Sequence, residues 1–121
     1  PEPQMAALER LLAGIMARWS IPPEAVIGHS DMAPGRKRDP GPRFDWRRLA
    51  RQGLAAWPAE GPATGAPDLP LATLLDRIGY PEAAAETRLA AFRLRFRPWS
   101  AGPEDAEDRT IAARIVSGLP G

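Results

Sequence analysis

The stretch Gly28-His29-Ser30-Asp31-Met32-Ala33-Pro34-Gly35-Arg36-Lys37-Arg38-Asp39-Pro40-Gly41-Pro42 decides how this chain is read. Just before it, Ala25-Val26-Ile27 is short, apolar and partly β-branched, which predicts a buried strand delivering His29 at its end. Three prolines and two glycines between Ser30 and Arg43 then predict a long structured loop, the kind of segment that carries function. This loop places the single histidine of the chain among carboxylates and cations. A neutral imidazole and a carboxylate, His29 and Asp39, can both ligate zinc if the loop folds back to join them. The same spacing suits a hydrogen-bonded structural histidine, and these residue types alone leave both readings open. With no cysteine in the chain, disulfides, thiolate metal sites and cysteine nucleophiles are excluded together.

Outward from the loop, the apolar residues Met5, Leu8, Leu11, Leu12, Ile15, Met16 and Trp19 recur at three- and four-residue spacing. They predict an amphipathic helix over 3–19, ending before Ile21-Pro22-Pro23, where two prolines cannot continue it. On the other side, Phe44-Asp45-Trp46 opens a short helix to about Gly53, with Phe44 and Trp46 as packing anchors. Residues 55–67 are rich in Ala, Pro and Gly without an apolar period, so the chain divides near residue 60. Three helical patterns follow, over 69–78, 83–96 and 107–116, separated by Gly79-Tyr80-Pro81 and by the segment from Pro98 to Pro103.

The composition agrees with two small folded units. At 121 residues there is room for one ordinary domain or two small ones, and 44% hydrophobic with 26% charged residues excludes a disordered chain. No stretch approaches the roughly 18 to 20 apolar residues that cross a bilayer. Sixteen basic and fifteen acidic residues nearly cancel, so net charge argues for no particular partner. The basic residues do bunch, between Arg36 and Arg51 and again between Arg88 and Arg97.

The run from His29 resembles the metal-binding loop of the zinc-dependent N-acetylmuramoyl-L-alanine amidases of the AmpD and AmiD type, the amidase type 2 family. His-Ser-Asp, Ala-Pro-Gly-Arg-Lys and Asp-Pro-Gly follow that family's pattern, and the likeness extends over residues 3–58, through Gln4, Ala7, Leu8, Ile21-Pro22-Pro23 and the segment Phe44–Leu49. The resemblance implies that His29 and Asp39 are ligands to Zn2+ and that Lys37 is catalytic, its cation steadying the oxyanion of a tetrahedral intermediate. A zinc held by three protein groups brings the pKa of its water towards about 7 and polarises a carbonyl. The implied reaction is hydrolysis of the amide between N-acetylmuramic acid and the L-alanine of the stem peptide. Asp31 either orients a ligand or sits in solvent, while Arg36 and Arg38 either hold substrate carboxylates or stay solvated. The family's third ligand, a histidine on an early strand, and its acidic general base have no counterpart here. The expectation is therefore the C-terminal portion of a longer enzyme, with the upstream part of the amidase domain missing, the alternative being a degenerate product that kept the loop and lost the catalysis.

Residues 69–121, through Leu74–Tyr80 and Ala91–Pro98, resemble the small helical peptidoglycan-binding-like domain appended to some of these amidases. Leu74, Ile78, Leu89, Phe92 and Phe96 are expected to form its core. Reading Arg88, Arg93, Arg95 and Arg97 as a nucleic-acid patch gains little from Phe92 and Phe96, whose spacing is that of a buried face, so no nucleic-acid partner is expected. The fold expectation is an α/β amidase portion (helix, strand, metal-binding loop, helix) over 1–58, a linker over 59–68, and a small all-α three-helix domain over 69–121. The partners implied are peptidoglycan or muropeptides. The location implied is the cell envelope, periplasm or outer membrane, with the cytoplasm as alternative. A non-catalytic peptidoglycan-binding module is the competing reading.

Overall fold

The structure, a computed structural model, describes residues 2–58 and 68–119. The linker expected over 59–68 therefore lies, except for Asp68, outside the described residues. The elements are α1 (Glu2–Trp19), a single 3-10 turn (Pro23–Ala25), α2 (His29–Met32), α3 (Trp46–Arg51), α4 (Leu71–Ile78), α5 (Ala85–Phe96) and α6 (Ala106–Gly118). Two compact units emerge: Pro1–Ile27 with Asp45–Trp57, and Gly28–Phe44 with the chain from Pro58 onward.

The α/β expectation for the amidase portion is overturned, because every regular element among the described residues is helical. The segment 25–29 is where a strand was expected. Instead the Val26 N–H donates to the Pro23 carbonyl at 3.1 Å, closing the 3-10 turn, and His29 opens α2. Val26 has extended dihedrals, but Ile27 is 52% exposed. A strand exists only by exchanging backbone hydrogen bonds with a neighbour. No second extended segment pairs with it among the described residues, so β-branched composition alone cannot make one.

In the first unit, α1 ends where Ser20 takes a left-handed φ of 53° and the Ile21 N–H reaches back to the Met16 carbonyl at 3.0 Å. That six-to-one bond satisfies a carbonyl the last turn leaves free. Asp45 caps α3 by accepting the Arg48 N–H at 3.0 Å. Arg48 then ties α3 to α1, donating to Glu9 and, at 2.8 Å in one of two bonds, to Glu2. Met16, Trp46, Leu49, Leu54 and Ala55 are buried here. Of the α1 stripe only Met16 is buried, while Leu11 and Trp19 are mostly exposed.

In the second unit, α4 packs on α6 and α2 on α5. The α4 helix closes through Gly79, at φ 113°, with the Tyr80 N–H on the Leu75 carbonyl at 3.0 Å. Leu71, Leu74, Leu75, Phe92, Phe96, Ala112 and Ile115 form the core, with Phe92 fully covered and its ring 5.2 Å from that of Phe96. Ile78 and Leu89, expected in the core, are half-buried. The arginines of α5 and its end are buried and engaged: Arg88 with Asp76 at 2.6 Å, Arg93 with Asp108 at 2.7 Å, and Arg97 with Asp105, Glu107 and Asp108 at 2.9, 2.9 and 2.5 Å. The guanidinium of Arg95 lies 4.5 Å from the centre of the Phe96 ring.

Candidate functional site

The loop from Gly28 to Phe44 is folded by its own backbone. Gly28 and Ala33 bracket α2, the Ala33 N–H returning to the His29 carbonyl at 2.9 Å. Ala33 also accepts from the Arg36 and Lys37 N–H groups, at 3.1 and 3.0 Å. Gly35 supplies a φ of 78° where a Cβ would meet the Thr87 methyl at 2.8 Å, so only glycine permits this approach to α5. The closing bond runs from the Ser30 N–H to the Asp39 carbonyl at 3.0 Å.

That closure sets His29 beside Asp39, with Nδ1 and Oδ2 3.3 Å apart. Direct hydrogen bonds to a charged group are typically about 2.7 to 2.9 Å. Two ligand atoms each roughly 2.0 to 2.2 Å from one tetrahedral zinc stand about 3.3 to 3.6 Å apart. The separation fits a direct but long His–Asp contact and is also compatible with two donors to one zinc. Its side chains are 41% and 65% exposed, so the imidazole is open to further ligands and to substrate rather than locked in a core. Among the described residues no third His, Cys, Asp or Glu joins them in a group that could hold a metal. Lys37 is exposed, two residues before Asp39, and its side chain has no hydrogen-bond or ion-pair partner among the described residues.

Asp31 is buried and so does not take the solvated role left open for it. Its Oδ2 accepts the Gly28 N–H at 2.9 Å, its Oδ1 accepts the Tyr80 hydroxyl at 2.6 Å, and Arg95 Nε stands 4.0 Å from Oδ2. Burial pushes the Asp31 carboxyl above the usual carboxylate range, against the opposing pull of Tyr80, Gly28 and Arg95. Burial, and then the Asp31 charge, lifts the Tyr80 hydroxyl well above its ordinary value, which keeps it a donor. Burial brings the Arg95 guanidinium down to about 10, with Asp31 and Tyr80 partly restoring it. Asp31 therefore fastens the loop to α5 and the end of α4. Tyr80 was missed by sequence reasoning. Its one available signal is that it is the only tyrosine and directly follows a helix-ending glycine.

Residues 1–42 match the family described as N-acetylmuramoyl-L-alanine amidase. The likeness to AmpD- and AmiD-type amidases expressed in the His29–Gly41 run is thereby shown. The N-acetylmuramoyl-L-alanine amidase AmiD of Escherichia coli K12 is 38% identical across 93% of this chain and 47% of its own length. The structure of AmiD from E. coli, in complex with the substrate anhydro-N-acetylmuramic acid-L-Ala-D-γ-Glu-L-Lys, matches with a TM-score of 0.80 at 38% identity, over 94% of this chain and 51% of that one. AmpDh3 from Pseudomonas aeruginosa, in complex with an anhydromuramic pentapeptide, matches with a TM-score of 0.87 at 30% identity, over 100% and 55%. The chain spans about half the length of the relatives it matches.

Proposed function

We propose that this chain carries part of the active site of a peptidoglycan amidase, one that hydrolyses the amide between N-acetylmuramic acid and the L-alanine of the stem peptide. The observation that carries this reading is the backbone closure that holds His29 Nδ1 3.3 Å from Asp39 Oδ2 within an amidase-like sequence. His29 and Asp39 would hold Zn2+, which when bound supplies a Lewis acid for the scissile carbonyl and an acidified water. The remaining steps belong to the chain. His29 and Asp39 stand open to solvent, so an amide can approach them. Lys37, exposed and uncommitted, brings a positive charge to where the carbonyl oxygen becomes an oxyanion. Asp31 holds the loop that carries all three residues.

The substrate class is peptidoglycan or muropeptides, the ligand type of the related structures. The helices over 69–119 would serve as a wall-binding-like unit that raises local concentration at the polymer, a role that suits a protein of the cell envelope. No helix among the described residues is long and apolar enough to cross a membrane.

The test is zinc stoichiometry and muropeptide hydrolysis of the protein carrying this sequence. His29→Ala and Asp39→Ala should each lose zinc and activity together. Lys37→Ala should keep zinc and lower kcat by about 10² to 10³, the cost of one oxyanion-stabilising group. Two donors without a third among the described residues also suit a non-catalytic wall-binding module. That reading takes over if the protein binds no zinc, cuts nothing, and is pulled down by cell wall equally well with His29 and Asp39 replaced.

A further inference from the structure

Helix α2 is only four residues long, His29–Met32, and His29 is its first residue. Isolated helices shorter than about 12 residues are marginal in water, so a single turn that presents a ligand must be held from outside. Its N-cap, Gly28, has no side chain to offer. The support comes from Asp31, whose Oδ2 accepts the Gly28 N–H at 2.9 Å while its Oδ1 accepts the Tyr80 hydroxyl at 2.6 Å. Tyr80 is itself fixed by the core of the helical unit. Its N–H donates to the Leu75 carbonyl at 3.0 Å, and its ring lies edge-on to that of the fully covered Phe92, 6.4 Å away. From the anchored turn, the Ser30 N–H reaches the Asp39 carbonyl at 3.0 Å and brings Asp39 beside His29. The two side chains are 41% and 65% exposed, so packing on the pair itself holds it little. A path of hydrogen bonds and one helical turn therefore runs from the end of α4 to the His29–Asp39 pair.

We propose that Tyr80 is a positioning residue for the His29–Asp39 pair: through it the helical unit keeps the loop closed and sets how tightly the loop holds a divalent cation. That the cation is zinc and the reaction amide hydrolysis rests on the amidase reading; the control of loop closure by Tyr80 does not. The helices over 69–119 thereby have a task in the site that is independent of any hold on cell wall. The physical effect is preorganisation. A loop rich in proline and glycine that is already closed gives up less conformational freedom when a cation joins its two ends. A group that orients a metal ligand from outside the coordination shell is typically worth about 10- to 100-fold in metal affinity. Tyr80 acts in this way, through Asp31 and the turn that Asp31 secures.

The test compares wild type, Tyr80→Phe and Ile115→Val in the protein carrying this sequence. Ile115→Val trims the buried core of α6 and leaves Tyr80 and Asp31 intact, so it reports what lost stability alone does. The first readout needs no metal and is amide hydrogen exchange by NMR with EDTA present. The Ser30 amide, donor of the closing bond, should exchange about tenfold faster in Tyr80→Phe and at the wild-type rate in Ile115→Val. The second readout is the zinc dissociation constant, by competition with a chromophoric chelator at a temperature where all three proteins are folded. Tyr80→Phe should weaken zinc binding about tenfold or more, and Ile115→Val should leave it unchanged. The proposal is overturned if Ser30 exchanges at the wild-type rate in Tyr80→Phe, if Ile115→Val accelerates it as much, or if Tyr80→Phe holds zinc as tightly as wild type. Should wild type take up no zinc, the amidase reading falls, and the Ser30 exchange alone upholds or overturns the role of Tyr80.

Discussion

The hydroxyl of Tyr80 and the carboxylate of Asp31 meet across 49 residues of sequence, and neither is exposed. Tyr80→Phe keeps the ring against Phe92, 6.4 Å away, and removes the donor alone. The carboxyl is then left one bond short in a buried place, which costs about 1 to 3 kcal/mol. The expected outcome is an unfolding free energy from urea denaturation lowered by that amount, with the Asp31 pKa raised further because a bond that lowers it is gone. At this scale the sequence singled out candidate site residues and hid what supports them. His29, Lys37 and Asp39 lie within one motif, whereas the bond securing Asp31 depends on a tyrosine that only folding brings near.

Among the elements, α6 shows how helix ends and ion pairs combine. Asp105 accepts the Asp108 N–H at 3.0 Å while Asp108 accepts the Asp105 N–H at 3.1 Å, and the buried Asp108 also receives Arg93 and Arg97. Burial alone would raise the Asp108 pKa, but bonds from Arg93, the Asp105 N–H and Arg97 together hold it below its ordinary value. A carboxylate lowered on folding adds stability above its unfolded pKa, near 3.9, and loses it as pH falls through the folded value. Asp108→Ala should cost about 3 kcal/mol at pH 7, since two buried guanidinium groups each lose one charged partner while keeping others. The difference from wild type should shrink below pH 4, as circular dichroism against urea at both pH values would show. Helical periodicity reads well here, because α4, α5 and α6 each carry apolar residues at three- and four-residue spacing. The expected strand at Ala25–His29 failed because β propensity describes fitness for a pleated surface and supplies no neighbour.

For the whole molecule, an apolar stripe in sequence did not mean a buried one. Leu11 and Trp19 on α1 are 62% and 70% exposed, and Ile27 is exposed as well. Exposed apolar groups of this size favour self-association. Replacing Leu11 and Trp19 with Gln should reduce light scattering at high concentration, while altering folded stability by no more than about 0.5 kcal/mol. The change of composition near residue 60 suggested a single division of the chain there. What composition could not reveal is that residues 28–44 pack with the helices far beyond it.

The Tyr80–Asp31 bond has a consequence for how such a protein could be assembled from parts over evolutionary time. A recombination junction anywhere in 59–67 would separate the two ends of one buried bond, giving the donor to one descendant and the acceptor to the other. The helical appendage is therefore not a freely interchangeable cassette. A transplanted appendage would need its own hydroxyl at the place of Tyr80 to satisfy the loop's aspartate.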